Sequence, residues 1–234
     1  MNKVYIHSAV RLSGEEPDYK PYIPPMQARR MGVLLKRALV GARMALSQAA
    51  LPMPDAILCG TSLGCMEPTE RILAALQSAG EEGISPTDFM QSTHNTIAST
   101  IAIHLGCRGY NCTYSQGAVS FENALLDAFL LLAEGEAQTA LVCENDERTP
   151  DGPAAWQSVS VVLSTRPEGA LCELEGVQVF HGKAFAPERP EVPRCPLSGA
   201  AGLCEAVEQL ASGQPGPLLV WTLPAPDGAS VLLK

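Results

Sequence analysis

Asn111-Cys112-Thr113-Tyr114-Ser115-Gln116-Gly117-Ala118-Val119 decides the reading of this chain. Cys112 to Gln116 predicts a strand, Gly117-Ala118 a tight turn of small residues, and Val119 to Glu134 a long apolar helix. Such a junction holds the side chain at its tip against a helix N-terminus, where the dipole lowers a thiol's pKa and free backbone N–H groups can bind an oxyanion. The tip residue is Ala118, whose methyl group cannot attack a carbonyl. Ser115 and Ser120 flank the turn, but a hydroxyl nucleophile needs a base, and the sequence places none beside them. Cys112, on the strand, is expected to point into the core.

Outward from this stretch, strands are predicted at 3–10, 56–60, 111–116, 139–145 and 157–164, and helices at 27–50, 66–79, 94–106 and 119–134. Alternation of this kind predicts parallel strands with crossover helices, an α/β fold. In helix 27–50 the apolar positions Met31, Leu34, Leu35, Ala38, Leu39, Ala42, Ala45 and Leu46 form a 3.6-residue stripe. Its other face carries Arg29, Arg30, Lys36, Arg37 and Arg43, read as a solvated face, with a docking stripe for an acidic partner as the sharper alternative. Helix 119–134 is apolar almost all round, so it is expected between two sheets or in a subunit interface, which implies a layered architecture. Beyond about residue 165 come a strand at 171–180, a Pro-rich connector at 186–196, a helix ending near Ser212, and strands at 217–223 and 228–233. The expected organisation is one compact unit, with residues 1–165 as its main part and a shorter 166–234 packed on it.

The chain has 234 residues, 46% hydrophobic and 18% charged, which is a globular composition able to bury a sizeable core. A net charge of −9 argues against nucleic acid and anionic membrane surfaces as partners. No apolar run reaches the roughly 18 residues of a spanning helix, so no membrane insertion is expected. The start, Met1-Asn2-Lys3-Val4-Tyr5-Ile6, is too short an apolar segment for a signal peptide, which leads to a cytoplasmic expectation. The eight cysteines form no C-x-x-C pair and have no histidine at zinc-ligand spacing. They are read as reduced, buried thiols, and neither metal nor cofactor is expected.

Four segments in order resemble the β-ketoacyl synthases, the condensing enzymes of the thiolase fold. Ile57-Leu58-Cys59-Gly60-Thr61-Ser62-Leu63-Gly64 resembles a strand ending in that family's G-S-x-x-G turn. Asn95 to Gly106 is similar to the helix preceding the nucleophile strand, and Asn111 to Ala128 resembles the nucleophile elbow with its helix. Leu141 to Glu147 is similar to the family's strand that ends in small and acidic residues. The resemblance implies a layered αβαβα fold with a complete N-terminal βαβαβαββ half and a truncated C-terminal half.

The departures carry the functional content. An active ketosynthase presents Cys at the elbow, where ungapped matching puts Ala118, and it needs two histidines in its second half. Gly199-Ala200-Ala201-Gly202 resembles the segment that follows one of them, but the histidine position falls near Pro196. The shortened half lacks the part that would bring the other, and the context of His181 does not resemble the catalytic one. Chain length factors, the inactive partners of ketosynthases, often carry Gln in place of the Cys; here Gln116 lies two residues early and is read as a strand-end residue bonded to nearby backbone.

The chain is similar to the half-size chain-length-factor-type subunits of aryl polyene biosynthesis. On that resemblance it is catalytically silent, pairs with an active β-ketoacyl-ACP synthase, and meets acyl carrier protein only indirectly. Thiolase-fold dimers join through the nucleophile strand, here 111–116. Phe89, Met90, Thr93, His94, Thr96 and Ile97 are then expected to approach the partner's tunnel. Cys112, Tyr114, Gln116, Phe121 and Leu125 are expected along the interface or tunnel, with core packing inside this subunit as the alternative for the apolar ones. Two other classes stay open: a homodimeric thiolase-fold enzyme performing acyl transfer or malonyl decarboxylation with Gln116 holding an enolate oxygen, and a pure scaffold.

Overall fold

The computed structural model describes residues 1–147, 156–180, 192–222 and 228–234. His181, most of the Pro-rich connector and the end of the strand expected at 217–223 lie outside the described residues.

The chain opens with β1 (Val4–Ser13), followed by a short helix α1 (Pro25–Ala28) and the long α2 (Val33–Gln48). One helix was expected over 27–50; it is divided. The amide of Gln91 reaches across the break, its Nε2 donating to the Arg30 carbonyl at 2.6 Å and its Oε1 accepting from Gly32 N–H at 3.2 Å. A distant side chain thus satisfies the backbone groups that a continuous helix would have used. β2 (Ala56–Gly60) leads to α3 (Met66–Ala79), α4 (Pro86–Gln91) and α5 (Thr96–Leu105). α4 was not anticipated, although its signal is legible: the Ser85 hydroxyl accepts from Asp88 N–H, Pro86 stands at the first helical position, and Asp88 lies in the first turn. β3 (Tyr110–Tyr114), α6 (Ser120–Glu134), β4 (Thr139–Asp146) and β5 (Gln157–Ser164) complete the first half. β6 (Cys172–Phe180), α7 (Gly199–Ala211), β7 (Leu218–Thr222) and β8 (Gly228–Leu233) form the second.

The strands run in the order β3-β2-β4-β5-β1-β6-β8-β7. Parallel pairing holds for β2 with β3 and with β4, whereas β5 runs antiparallel to both β4 and β1. β4 and β5 follow one another without an intervening crossover helix, so the chain reverses and pairs antiparallel. β6 pairs with only the first residues of β1, Val4 to Ile6, and register shifts lie beside this contact in both strands. Irregularities of this kind bend a sheet, and the second half folds back over the first.

α6 and α7 fill the space between the two parts. α6 packs on β2, β3 and β4 on one side and on β6 and β8 on the other, while α7 meets β7 and β1. One core therefore joins Leu58, Val142 and Val161 to Leu203, Val220 and Val231 through Phe121, Leu125 and Leu132 of α6. A second core lies on the opposite face of the first sheet, under α2 and α5, with Leu35, Ile57, Ile97 and Leu141. Among the described residues the far side of β6-β8-β7 carries no helix layer. β6 turns Glu173 and Glu175 that way, to Lys3 at 2.8 Å and Lys234 at 3.8 Å. On the β7-β8 part of that face Val192 covers Leu219, with Leu232 beside them.

Candidate functional site

The elbow follows the end of β3. Gly117 takes a left-handed conformation (φ +59°), residues 117–119 make a single 3-10 turn, and α6 begins at Ser120. The buried Ser120 hydroxyl accepts from Gln116 N–H at 2.8 Å and donates to the Gly117 carbonyl at 2.7 Å. Ser62 of the loop after β2 donates to the same carbonyl at 3.1 Å. Gly60 permits α6 to enter directly above β2, because a Cβ there would stand 2.5 Å from the Phe121 nitrogen.

The turn after β2 is held from beneath by Asp146. One carboxylate oxygen accepts from the Thr61 hydroxyl and from Ser62 N–H, both at 2.9 Å, and Thr61 Oγ1 accepts in turn from Gly64 N–H at 3.0 Å. The His94 ring lies against Gly64, where a Cβ would come within 2.9 Å of it. His94 therefore touches the loop that braces the elbow.

At the tip this frame presents Ala118, exposed and bearing no reactive atom. Gln116 is exposed as well. Its backbone N–H donates to the Ser120 hydroxyl, while its side-chain amide makes no hydrogen bond among the described residues, so the expected bond of this polar side chain to nearby backbone is not seen. Ser120 is committed to the turn on both sides of its hydroxyl, so it is not a free nucleophile. Burial argues against the enclosed cysteines as activated substitutes. Cys59 is pushed well above the ordinary thiol range, and Cys65, Cys143, Cys172 and Cys204 are pushed up to about 12. Burial disfavours the thiolate in each case. Cys112 is half-buried on β3 rather than enclosed in the core. Pro196, at the expected histidine position, is exposed.

Behind the elbow two acids converge, Glu122 buried and Glu144 half-buried. Glu122 of α6 accepts from the Thr222 hydroxyl at the end of β7, and its Oε2 has no partner among the described residues. Burial raises its pKa. Glu144 of β4, bonded by Gln157, is raised to about 8 by burial first and then by the nearby charges of Asp146 and Glu122. No periodicity along the chain marks this pair, because its members come from different elements and meet only through the helix layer.

The remaining expected residues divide into two groups. Ile97, Phe121 and Leu125 lie in this subunit's own core, and Thr96 is buried with its hydroxyl donating to the Met90 carbonyl at 3.0 Å. Phe89 and Met90 stand out, 64% and 70% exposed, and Thr93 and His94 are exposed beside them. A groove of about 640 Å³ runs between α2 and the α4–α5 segment, lined by Met31, Leu35, Phe89, Met90, Thr96 and Ile103 among others. α3 lies where a helix was expected, at 66–79, but its exposed apolar face was not anticipated. Its start is tied by Glu67 N–H to Glu147 at 3.0 Å, yet Pro68 is its only buried residue, and Leu73 is 56% exposed.

The sequence profile described as "Beta-ketoacyl synthase, N-terminal domain" matches residues 7–165. This chain belongs to the β-ketoacyl synthase family. Its relatives in that family include the 3-oxoacyl-[acyl-carrier-protein] synthase 2 of Staphylococcus aureus strain N315, 25% identical over 168 residues. The enzyme of the same name from a Synechocystis strain is 29% identical over 174 residues, covering 70% of this chain and 41% of that protein. The chain thus spans about two fifths of the length of these relatives.

Solved ketosynthase structures share its thiolase-type fold. A chain from the AntDE:AntF complex, a type II polyketide ketosynthase with its acyl-carrier protein, superimposes with a TM-score of 0.78 at 11% identity, covering all of this chain and 99% of that one. A chain from the ketosynthase ApeO in complex with its chain length factor ApeC, from Xenorhabdus doucetiae, gives 0.64 at 17% identity over 98% and 99% of the two chains. One from the ishigamide ketosynthase/chain length factor gives 0.71 at 16% identity, with 93% and 84% covered. Ketosynthase-like chains of this length therefore occur within such assemblies.

Proposed function

We propose that this chain is a catalytically silent, chain-length-factor-type subunit that pairs with an active β-ketoacyl-ACP synthase and shapes the tunnel holding the growing acyl or polyene chain. The observation that carries this reading is the elbow itself: its turn is fully braced by Ser120, Ser62 and Gly60, yet its tip is Ala118. The fold similarity to chains of ketosynthase and chain-length-factor complexes supports the class of assembly. The exposed Phe89 and Met90, beside a groove, support a role in limiting chain length by occupied volume. Aryl polyene synthesis is the specific setting we favour.

The cationic stripe is smaller than its sequence suggests. Arg37 is bonded to Glu16 and stacks on Trp156 at 3.9 Å, and Arg43 donates to the carbonyls of Tyr22 and His104 at 2.6 and 3.2 Å. Arg29, Arg30 and Lys36 line a surface recess next to the groove together with Glu67 and Asp88, and Lys36 lies over the Tyr19 ring at 5.7 Å. These three are the positions through which an acidic carrier protein would touch this subunit, with the active partner providing the main docking surface.

Native mass spectrometry of the chain alone and co-expressed with a candidate ketosynthase tests the reading. A one-to-one complex is expected. A stable homodimer that ignores the ketosynthase would overturn it and direct attention to malonyl decarboxylation by the lone chain. In the reconstituted complex, Phe89→Ala or Met90→Ala is expected to lengthen or broaden the product distribution; unchanged lengths for both would remove them as gates.

A further inference from the structure

Tyr110, Cys112 and Tyr114 alternate with Asn111 and Thr113 along β3, so they share one face of that strand. Both tyrosine hydroxyls donate to the same oxygen, Asp127 Oδ2 of α6, each at 2.9 Å. Because the two tyrosines lie on either side of Cys112, they hold the Asp127 carboxylate over the middle of the strand. Asp127 has no cation among its recorded partners in the described residues.

This strand is at the open end of the sheet, paired with β2 on one side only. The neighbouring face of α6 is uncovered too. Asn123, Leu126 and Asp127 are half-exposed, and Leu130 is 39% exposed, at the spacing of one helical face. Edge and helix face form one continuous surface with a carboxylate near its centre. An unprotected edge of this kind invites another strand.

A second copy of this chain fits the surface poorly. Antiparallel pairing of β3 with itself is isologous, and in the register that centres it on Cys112, the middle residue of the strand, its two-fold axis passes there, normal to the sheet. Such an axis keeps both copies of α6 on the same side of the joined sheet. It therefore brings the two Asp127 carboxylates together across the axis, with neighbouring strands only about 5 Å apart. Each copy also carries a net charge of −9. A different subunit with a lysine, arginine or neutral donor opposite Asp127 avoids this repulsion.

We infer that Asp127, fixed by Tyr110 and Tyr114, selects against self-pairing and for a partner subunit that is neutral or cationic at that point. The inference rests on the proposed function for one element, the use of the β3 edge for pairing; the choice against a second copy comes from the side chains.

Sedimentation velocity on the full chain tests it, comparing wild type, Asp127→Asn and the control Glu168→Gln at about 50 and 500 mM salt. Glu168→Gln removes the same charge from an exposed turn remote from β3. Asparagine keeps an oxygen for the tyrosine hydroxyls, and thermal melts with Asp127→Ser as a second variant check that folding is retained. The expected result is a monomeric wild type whose weak self-association strengthens with salt, and about tenfold or tighter self-association in Asp127→Asn but not in Glu168→Gln. Equal behaviour of the two variants, or a stable wild-type dimer at low salt, would overturn the inference. Dimerisation of Asp127→Asn with no complex between wild type and any candidate ketosynthase would keep the inference and remove the silent-subunit reading.

Discussion

Ala118 stands in the turn that opens α6, within reach of that helix's dipole. Ala118→Cys is expected to alkylate with iodoacetamide at pH 7 faster than the native thiols, six of which are buried. It is nevertheless expected to form no 3-oxoacyl product from malonyl and acyl thioesters, because a thiolate alone does not decarboxylate malonate; measurable condensation by the variant would refute catalytic silence as a matter of more than one residue. Glu144 gives a second prediction at this scale. Its pKa is raised to about 8 in the folded chain from 4.5, so between those values the folded state holds the extra proton. Its contribution to stability is therefore lost as pH rises through that window, with a slope of at most about 1.4 kcal/mol per pH unit. Urea unfolding at pH 5, 6.5 and 8 is expected to show Glu144→Gln gaining on wild type as pH rises; parallel profiles would show that the carboxyl is not held neutral.

The elbow works as an element because β2 and α6 approach one another closely at Gly60. A Cβ there must displace helix backbone rather than a flexible side chain. Gly60→Ala is expected to cost about 1–3 kcal/mol in urea unfolding and to weaken pairing with a ketosynthase, since the same shift moves β3 and α6. A variant as stable as wild type would mean that α6 has room to retreat. The break between α1 and α2 has the same character. Composition and periodicity read straight through it, because Met31, Leu34 and Leu35 keep helical phase, and the side chain that enforces the break comes from Gln91, some sixty residues further along the chain. As a result Arg29 and Arg30 lie outside the long helix, and the cationic face expected along one continuous helix is interrupted.

On the scale of the whole molecule, several large apolar side chains of the first half are left uncovered. Among the described residues they include Leu73 and Leu76 of α3, Phe89 and Met90, Tyr110 at the β3 edge and Leu130 of α6. Leu73→Ser with Leu76→Ser is expected to leave thermal stability of the lone chain within about 0.5 kcal/mol of wild type and to weaken the complex with a ketosynthase at least tenfold. Loss of stability in the lone chain instead would show that α3 packs on the body of this subunit. On the far face of β6-β8-β7 the Lys3–Glu173 and Lys234–Glu175 pairs lie on the β6 part, and the Val192–Leu219 contact lies on the β7 part.

Much of this protein was legible in its sequence because the information is local. The 3.6-residue stripe of α2, the apolar α6, the Gly117-Ala118 turn and the strand–helix alternation each arise from neighbours along the chain, and together they predicted the layered fold and the missing nucleophile. The tertiary structure alone decided which apolar residues face inward. Ile97 and Phe89 read alike as tunnel candidates, yet one is fully buried in the core and the other stands in solvent. It alone decided that Arg37 and Arg43 are engaged within the subunit, that Glu122 meets Thr222, and that Tyr110 and Tyr114 share Asp127. These contacts join residues on separate elements, and their partners are fixed by how sheet and helix layers pack, which no spacing along the chain encodes.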